Sequence, residues 1–383
     1  MKILVVAQHQ HDGSPTAIFI HDQMKEYVRA GHEVLVIAPV GIAKPDRNGN
    51  RLRLWTEFCV IDGIRHVFPR YLTISHLGGR HFNAASSALA VKLQLKNLLG
   101  GFQPDVIHAH TLGLGSRVGE MLKQELGCPL VVTTHGSDTT IPVNRGRLDD
   151  LRRQCRDVDV VVAVSNALEN RLRKCGTETE IRTIHNGYNA EGLLPSMNKE
   201  KYSCLQVSNL IELKQIPVTI RAFEKIHRKH PQARLTIIGR GPDREALEKL
   251  CEDLQISDAV TFTGQLQHQK VIEYMAKTQF YIMPSVREGL PISYLEAMGM
   301  GCVITGTSTE GIAEIVKHEV NGILVQPGDY EAIAEHVCAC IEDPAKAVAI
   351  AEAGRETAQR LTWQHNAQRL VELFEELCKK TDM

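Results

Sequence analysis

Short runs of β-branched and aliphatic residues alternate along this chain with longer segments in which apolar residues recur every three or four positions. The first pattern predicts buried strands and the second predicts amphipathic helices, and their alternation is typical of βαβ units around a parallel sheet. The predicted strands fall into two sets, 2–7, 33–38, 105–108, 130–134, 159–165 and 180–184, then 204–208, 234–239, 259–263, 280–284, 302–305 and 322–325. We therefore predict two doubly wound α/β halves.

The segment 190–202 separates the two sets of strands and contains Gly192, Pro195 and Ser196, so it is the best candidate for a linker. We predict an N-terminal domain over 1–195, a second domain over 196–362 and a C-terminal helix over 363–383. A length of 383 residues exceeds one typical core and suits two domains. Since open α/β sheets bind ligands at the carboxyl ends of their strands, we expect the active site in the cleft between the domains.

Composition narrows the class of protein. Hydrophobic residues make up 43% and charged residues 23%, and the net charge of −1 gives no general attraction to nucleic acid. No apolar run approaches the roughly 18 residues of a membrane span, and the N-terminal run is too short for a signal peptide. The ten cysteines lack a paired spacing and favour free thiols in a reducing compartment. We expect a cytoplasmic enzyme.

Two clusters of basic residues stand out from this even balance. Arg80, Lys92 and Lys96 flank an apolar helical stretch over 84–99, and a second cluster comprises Arg145, Arg147, Arg152, Arg153 and Arg156. A basic amphipathic surface can bind anionic lipid headgroups, whereas charged helix faces are usually only solvated. The sequence therefore leaves open whether the protein contacts the inner face of the cytoplasmic membrane.

The most informative feature is a pair of carboxylates, Glu288 and Glu296, separated by seven residues around a Gly-Leu-Pro turn. A predicted strand leads into this segment, and a predicted helix starting near Pro291 leads out of it. The free backbone N–H groups of a helix N-terminus favour a phosphate, and carboxylates accept hydrogen bonds from sugar hydroxyls. The pattern suits a sugar attached to a diphosphate, with solvated helix-end acids as the alternative.

The letters from Pro284 to Met298 resemble the E-x7-E motif of retaining glycosyltransferases with the GT-B fold, of the group 1 or family 4 type. Further matching segments follow in the family's order over nearly the whole chain, at 135–138, 186–189, 238–242, 262–264, 311–314 and 321–325. The resemblance implies two Rossmann-like domains facing across a cleft, with the last helix crossing back onto the first domain. It also implies retaining transfer from a nucleotide diphosphate sugar, most simply a UDP-sugar, to a glycan or lipid-linked acceptor in cell-surface polysaccharide or glycoconjugate synthesis.

On the donor side, the resemblance implies that Glu288 binds a sugar hydroxyl, that Glu296 binds the ribose hydroxyls and that Lys214 binds the diphosphate. The backbone around the turn would also contact the diphosphate, through Gly289, Leu290 and Pro291. Neither a cofactor nor a metal is then required, because Lys214 and the helix dipole would stabilise the leaving diphosphate.

The donor side departs from the family pattern at Asn209, which stands where an arginine is usual. This change removes a cation and a bidentate phosphate contact. Arg240, in a Gly-Arg-Gly-Pro loop, is a candidate replacement, and a solvated arginine is the alternative. The pair Gly239 and Gly241 lacks the third glycine of a dinucleotide fingerprint, because Arg244 stands in that place.

In the first half of the chain, His135 follows a predicted buried strand and corresponds to the family's active-site histidine. His110 is expected to line the cleft, and Gly13 lies in the turn that would face phosphate and acceptor. Asn186 and Gly187 resemble a family turn that we interpret as structural.

Three other interpretations stay open. One is a metal-dependent hydrolase built on His108, His110 and His135. Another is a weakly active partner in a polysaccharide assembly complex, which Asn209 supports, and a GT-B-fold epimerase is a third. The sequence Asp157-Val158-Asp159 spells the metal-binding motif of GT-A enzymes, but it precedes its predicted strand and so would lie at the wrong end of the sheet.

Overall fold

The computed structural model describes residues 1–7, 18–42, 55–74, 79–136, 138–139, 146–191, 199–286, 288–309 and 311–381. The chain divides into two compact units. The first comprises Met1–His185 together with Trp363–Met383, and the second comprises Asn186–Thr362. Within the described ranges, no helix is long and apolar enough to cross a bilayer.

The first unit is built around an eight-stranded sheet in the order β10-β9-β8-β7-β1-β2-β5-β4, with a separate two-stranded sheet of β3 and β6. Its strands are β1 (Lys2–Val6), β2 (Glu33–Ile37), β3 (Val40–Gly41), β4 (Glu57–Ile61), β5 (Ile64–Phe68), β6 (Arg70–Tyr71), β7 (Val106–His110), β8 (Leu130–Thr134), β9 (Val160–Ala163) and β10 (Glu180–Thr183). Its helices are α1 (Ile18–Arg29), α2 (Gly79–Leu99), α3 (Leu114–Leu126), α4 (Leu148–Cys155), α5 (Asn166–Lys174) and α12 (Trp363–Thr381).

The second unit has a six-stranded, fully parallel sheet in the order β13-β12-β11-β14-β15-β16. Its strands are β11 (Glu200–Val207), β12 (Arg234–Ile238), β13 (Val260–Gly264), β14 (Thr278–Ile282), β15 (Val303–Thr307) and β16 (Ile323–Val325). Its helices are α6 (Ile216–Lys229), α7 (Arg244–Asp253), α8 (His268–Lys277), α9 (Ile292–Gly299), α10 (Tyr330–Glu342) and α11 (Pro344–Gln359).

Each sheet is buried on both faces, which is why its central strands are continuous apolar runs rather than alternating ones. In the first unit, α2 and α3 cover one face. The other face is covered by α1 and α12. Leu370 and Phe374 of α12 pack among Ile3 of β1 and Met24 and Tyr27 of α1. The predicted fold class, doubly wound α/β, is confirmed.

The hairpin of β4 and β5 was not predicted. Its strands pair antiparallel at the edge of the first sheet, joined through Asp62 and Gly63. An Asp-Gly pair between alternating apolar residues is a hairpin signal that the sequence does contain. The strand predicted over 105–108 also extends two residues further, to His110, so that this histidine belongs to the sheet.

Candidate active site

In the second unit, the chain changes direction across the sheet between β11 and β14. From β11 the chain proceeds through β12 to β13 on one side, then returns to β14 on the other side. Such a switch point opens a crevice at the carboxyl ends of the strands, where α/β sheets bind ligands. The loops that follow these two strands meet there, because the Val286 amide donates to the Leu213 carbonyl at 3.0 Å.

Lys214 and Glu288 form an ion pair across this switch point. Their side chains are only 15% and 16% exposed, so the attraction is less screened by water than at an open surface. The carbonyl of Lys214 accepts a hydrogen bond of 3.1 Å from the Gln206 side chain, which fixes the lysine's backbone to β11. A cation and a carboxylate are therefore held together at the ligand-binding edge of this sheet.

The N-terminus of α9 lies immediately after this pair. Pro291 precedes the helix and provides no side-chain cap, while Gly289 and Leu290 are buried. Asn186 donates to the Leu290 carbonyl at 2.9 Å, which gives Asn186 a structural role in holding the turn. In the described part of the chain, the amides of Gly289 and Leu290 donate no hydrogen bond, so they remain available to an anion at the positive end of the helix.

Glu296 lies one turn into α9 and is 12% exposed. Its Oε1 atom is 2.6 Å from Nε2 of His268, the first residue of α8. His268 was not predicted as a site residue, and no local signal marks it, because 28 residues separate it from Glu296. The contact orients one carboxylate oxygen.

Asn209 and Arg240 are both exposed on loops that follow neighbouring strands. The loops are tied together, since the Leu210 amide donates to the Arg240 carbonyl at 2.9 Å. A Cβ at Gly239 would lie 1.8 Å from the Ser208 carbonyl oxygen. The glycine is therefore required for the close approach of the two backbones, which accounts for it without a phosphate.

In the first unit, His110 ends β7 and His135 follows β8, the neighbouring strand. Nδ1 of His110 lies 3.1 Å from Nε2 of His135. The other nitrogen of each ring, His110 Nε2 and His135 Nδ1, is buried and has no hydrogen-bond partner among the described residues. The two predicted histidines are thus brought into direct contact, with one buried, unpaired nitrogen on each ring.

Both rings are held neutral by burial. Loss of solvent lowers the pKa of His110 well below its usual value, and it also lowers the pKa of His135, although Asp138 opposes that second shift. In a hydrogen-bonded pair of neutral imidazoles, one inner nitrogen donates and the other accepts. It follows that, of the two outer nitrogens, one carries a proton and the other a lone pair, so the pair has one unused donor and one unused acceptor.

Asp138 organises the loop that carries His135. Its carboxylate accepts hydrogen bonds from the amides of Leu112, His135 and Gly136, at 2.9, 3.2 and 2.9 Å. These contacts join the loops after β7 and β8. Asp138 lies in the motif at 135–138, but no role was predicted for it.

His108 is a core residue. Its two ring nitrogens contact the Tyr27 hydroxyl at 3.2 Å and the Thr133 hydroxyl at 2.8 Å, and burial lowers its pKa to about 3. Because both nitrogens are engaged inside the protein, His108 is not placed to join His110 and His135 as a metal ligand. The geometry therefore does not favour the metal-dependent hydrolase.

The remaining predicted features are Gly13 and the Asp157-Val158-Asp159 motif. Gly13 lies outside the described residues. Asp159 precedes β9, where its carboxylate pairs with Lys123 at 2.7 Å and accepts from the Leu130 amide at 2.8 Å. These contacts give Asp159 a structural role at the amino end of the strands, opposite the end at which His110 and His135 lie.

Two family models match the chain in succession. The model described as Glycosyltransferase Family 4 matches residues 16–191, and the model described as Glycosyl transferases group 1 matches residues 195–357.

Individual proteins resemble the chain over most of its length. Sucrose-phosphate synthase from Thermosynechococcus elongatus is 21% identical, with a TM-score of 0.82 covering 98% of this chain and 99% of that one. The Anabaena protein HepE in complex with UDP and glucose is 21% identical, with a TM-score of 0.75 covering 98% and 100%. A GDP-mannose-dependent alpha-(1-6)-phosphatidylinositol monomannoside mannosyltransferase from Mycolicibacterium smegmatis is 27% identical over 309 residues, 74% of this chain and 80% of the relative.

Proposed function

Because the chain belongs to the group 1 glycosyltransferases of family 4, we propose that it transfers a sugar from a UDP-sugar to a glycan or lipid-linked acceptor, with retention of anomeric configuration. The observation that carries the proposal is the Lys214–Glu288 pair beside the N-terminus of α9. It combines a cation and free amides for a diphosphate with a carboxylate for a sugar hydroxyl.

In the proposed reaction, the bond between the anomeric carbon and the diphosphate oxygen breaks as the acceptor oxygen bonds to that carbon on the same face. The leaving diphosphate takes the proton of the acceptor hydroxyl. Lys214 and the amides of Gly289 and Leu290 stabilise the charge that develops on the diphosphate, which is a large term in catalysis. The mechanism requires neither a metal nor a cofactor. In it, His135 forms a hydrogen bond with a sugar hydroxyl, as donor or as acceptor.

The choice of donor and acceptor rests on the similar proteins. A solved neighbour binds UDP and glucose, which supports UDP, whereas the mycobacterial relative depends on GDP-mannose. That relative modifies a glycolipid, which supports a lipid-linked acceptor and a role in cell-surface polysaccharide or glycoconjugate synthesis. GDP is therefore the competing nucleotide in any donor screen.

A thermal-shift screen of UDP- and GDP-sugars, run with excess EDTA, tests the proposal. A ligand that binds only the folded protein raises its melting temperature by mass action, so the donor should be identified by the largest shift. With that donor and its acceptor, transfer should persist in EDTA, and NMR should show the donor's anomeric configuration in the product. Strict dependence on added manganese or magnesium, or an inverted product, would contradict the mechanism.

Replacing Glu296 with alanine should weaken UDP binding by about 10- to 150-fold, the equivalent of 1.5–3 kcal/mol for a charged hydrogen-bonding partner. The reason is that the carboxylate is proposed to accept from both ribose hydroxyls. Calorimetric titration with UDP measures the change, and Glu352→Ala, at an exposed acid of α11, is the matched control. Equal UDP affinity in the mutant and wild type would remove Glu296 from the nucleotide site.

The role of His268 can be separated from that of Glu296 in the same titration. His268→Ala alone should weaken UDP binding by about 3- to 10-fold, because the carboxylate loses its orienting partner. In the Glu296→Ala background the same change should have no further effect. Additive losses would mean that His268 acts independently of Glu296.

A further inference from the structure

Exposed apolar side chains are concentrated in one stretch of the first unit. In the described part of the chain, twelve large hydrophobic residues are exposed, and eight of them fall in this stretch, namely Trp55, Phe58, Val60, Leu72, Ile74, Phe82, Leu89 and Leu93. The most exposed are Leu93, at 76%, and Trp55, at 69%. Single exposed apolar residues are ordinary, but a contiguous group of them marks an interaction surface.

The strand register shows that the β4 residues continue the face on which α2 packs. Phe58 of β4 pairs with Val67 of β5, and directly paired residues point to the same face of a sheet. Val67 is buried in the cluster that includes Ala88 and Val91 of α2. The apolar row therefore runs outward from the core beneath α2 to Phe58 and Val60 at the exposed edge.

Hydrogen bonds tie the remaining exposed residues to the sides of α2. Thr56, beside Trp55, donates to the Gln94 side chain at 2.6 Å. The Ile74 amide donates to Asn83 at 2.9 Å, which places the segment carrying Leu72 and Ile74 against the first half of the helix. Residues 55–60, 72–74 and the outer side of α2 thus belong to one surface, named the α2 surface below.

The helix at the centre of the α2 surface is apolar on both sides. Its inner side buries Ala88, Val91 and Leu98. Phe82, Leu89 and Leu93 are exposed, and their spacings of seven and four residues place them on a single outer stripe. A surface helix normally carries polar residues on the side away from the core, so this stripe needs an apolar partner.

The charges around the stripe identify that partner. The 21 residues of α2 include Arg80, Lys92 and Lys96 but neither Asp nor Glu. Lys92 pairs with Glu125 of α3 at 2.6 Å, and Lys96 is exposed. The helix of the second basic cluster, α4, carries two acids that pair with its own Arg152 and Arg153, whereas α2 carries none. From this we infer that the α2 surface docks on an anionic lipid bilayer, with its apolar side chains in the interface.

A second copy of the chain is a poorer fit to the same surface. Closed dimers usually place one patch against the identical patch of the other subunit. Lysines of one α2 would then face a helix that offers them no carboxylate. A bilayer accommodates both the apolar stripe and the lysines. The leucines and phenylalanine would contact acyl chains, the lysines would pair with anionic headgroups, and tryptophan favours the boundary between the two regions.

Flotation with lipid vesicles tests the inference, and it does not depend on the identity of the donor. The full chain should bind vesicles of phosphatidylcholine and phosphatidylglycerol more strongly than vesicles of phosphatidylcholine alone. Leu89→Glu/Leu93→Glu should lower the bound fraction roughly tenfold or more, since apolar burial is lost and like charges are added. Lys92→Glu/Lys96→Glu should also weaken binding, mainly to the anionic vesicles, and added salt should reduce wild-type binding.

Val348→Glu is the matched control, because Val348 is 56% exposed, like Leu89, but lies on α11 of the second unit. It should bind vesicles as wild type does, and circular dichroism should show unchanged folding for every variant. Vesicle binding that is absent in wild type, or equal in Leu89→Glu/Leu93→Glu, would overturn the inference. A wild-type dimer that Leu89→Glu/Leu93→Glu converts to a monomer, without vesicle binding, would assign the surface to self-association instead.

Discussion

Replacing Lys214 with methionine should lower the rate of sugar transfer by about 10²- to 10³-fold, the usual loss when one preorganised donor to a developing charge is removed. Methionine keeps an unbranched side chain of similar length but lacks the ammonium that is proposed to stabilise the leaving diphosphate. The measurement is the transfer rate at saturating donor. Lys225→Met, on the exposed side of α6, is the control and should retain wild-type activity.

The same substitution should also destabilise the protein, because it leaves the mostly buried Glu288 carboxylate without its partner. Loss of folding could then imitate loss of chemistry. The double variant Lys214→Met/Glu288→Gln separates the two effects, since it removes the unpaired charge. It should recover most of the melting temperature but remain far less active than the single variant Glu288→Gln, which keeps the ammonium. Activity equal to that of Glu288→Gln would mean that Lys214 serves only to neutralise Glu288.

The fold was largely accessible from the sequence because its determinants are local. Strands buried on both faces have continuous apolar sequences, so the two sets of parallel strands could be located to within a few residues. The β4–β5 hairpin was not predicted because its edge strand has one exposed face, which carries Phe58 and Val60. An outward apolar residue blurs the pattern that distinguishes core from surface.

The contacts of the candidate site depend on tertiary structure that the sequence pattern does not encode. Lys214 and Glu288 were assigned neighbouring tasks, but 74 residues separate them, and only the order of strands in the sheet brings them together. The pairing of His268 with Glu296 is also non-local, across 28 residues. Gly239, by contrast, was set aside as part of an incomplete dinucleotide fingerprint, and the close approach of the Ser208 carbonyl explains why a glycine stands there.

The ion pair changes what should be expected of Glu288. In the structure its carboxylate pairs with Lys214, so the diphosphate of the proposed donor would compete with it or share the lysine. A donor sugar whose hydroxyl binds Glu288 would draw the carboxylate toward the sugar and leave more of the lysine's charge to the diphosphate. The pair would in this way couple occupation of the sugar site to charge stabilisation, and UDP alone would not obtain that benefit.

Glu288→Gln should therefore lower transfer by about 10²-fold or more while leaving UDP affinity within about threefold of wild type, with any change toward tighter binding. Glutamine keeps the size of the side chain and one acceptor oxygen but removes the charge, so Lys214 is no longer neutralised. An interaction realised mainly in the transition state affects turnover and not nucleotide binding. Calorimetric titration with UDP and a transfer assay on the same preparation measure both quantities.

Glu248→Gln, at a partly exposed acid of α7, should leave both quantities unchanged and controls for the general loss of one charge. The pattern expected of Glu288→Gln is the reverse of that expected of Glu296→Ala, which should weaken UDP binding first. If Glu288→Gln lost UDP affinity and activity together, Glu288 would be acting on the nucleotide. If its turnover were normal, the carboxylate would not contact the transferred sugar, and its contact with Lys214 would be a structural ion pair.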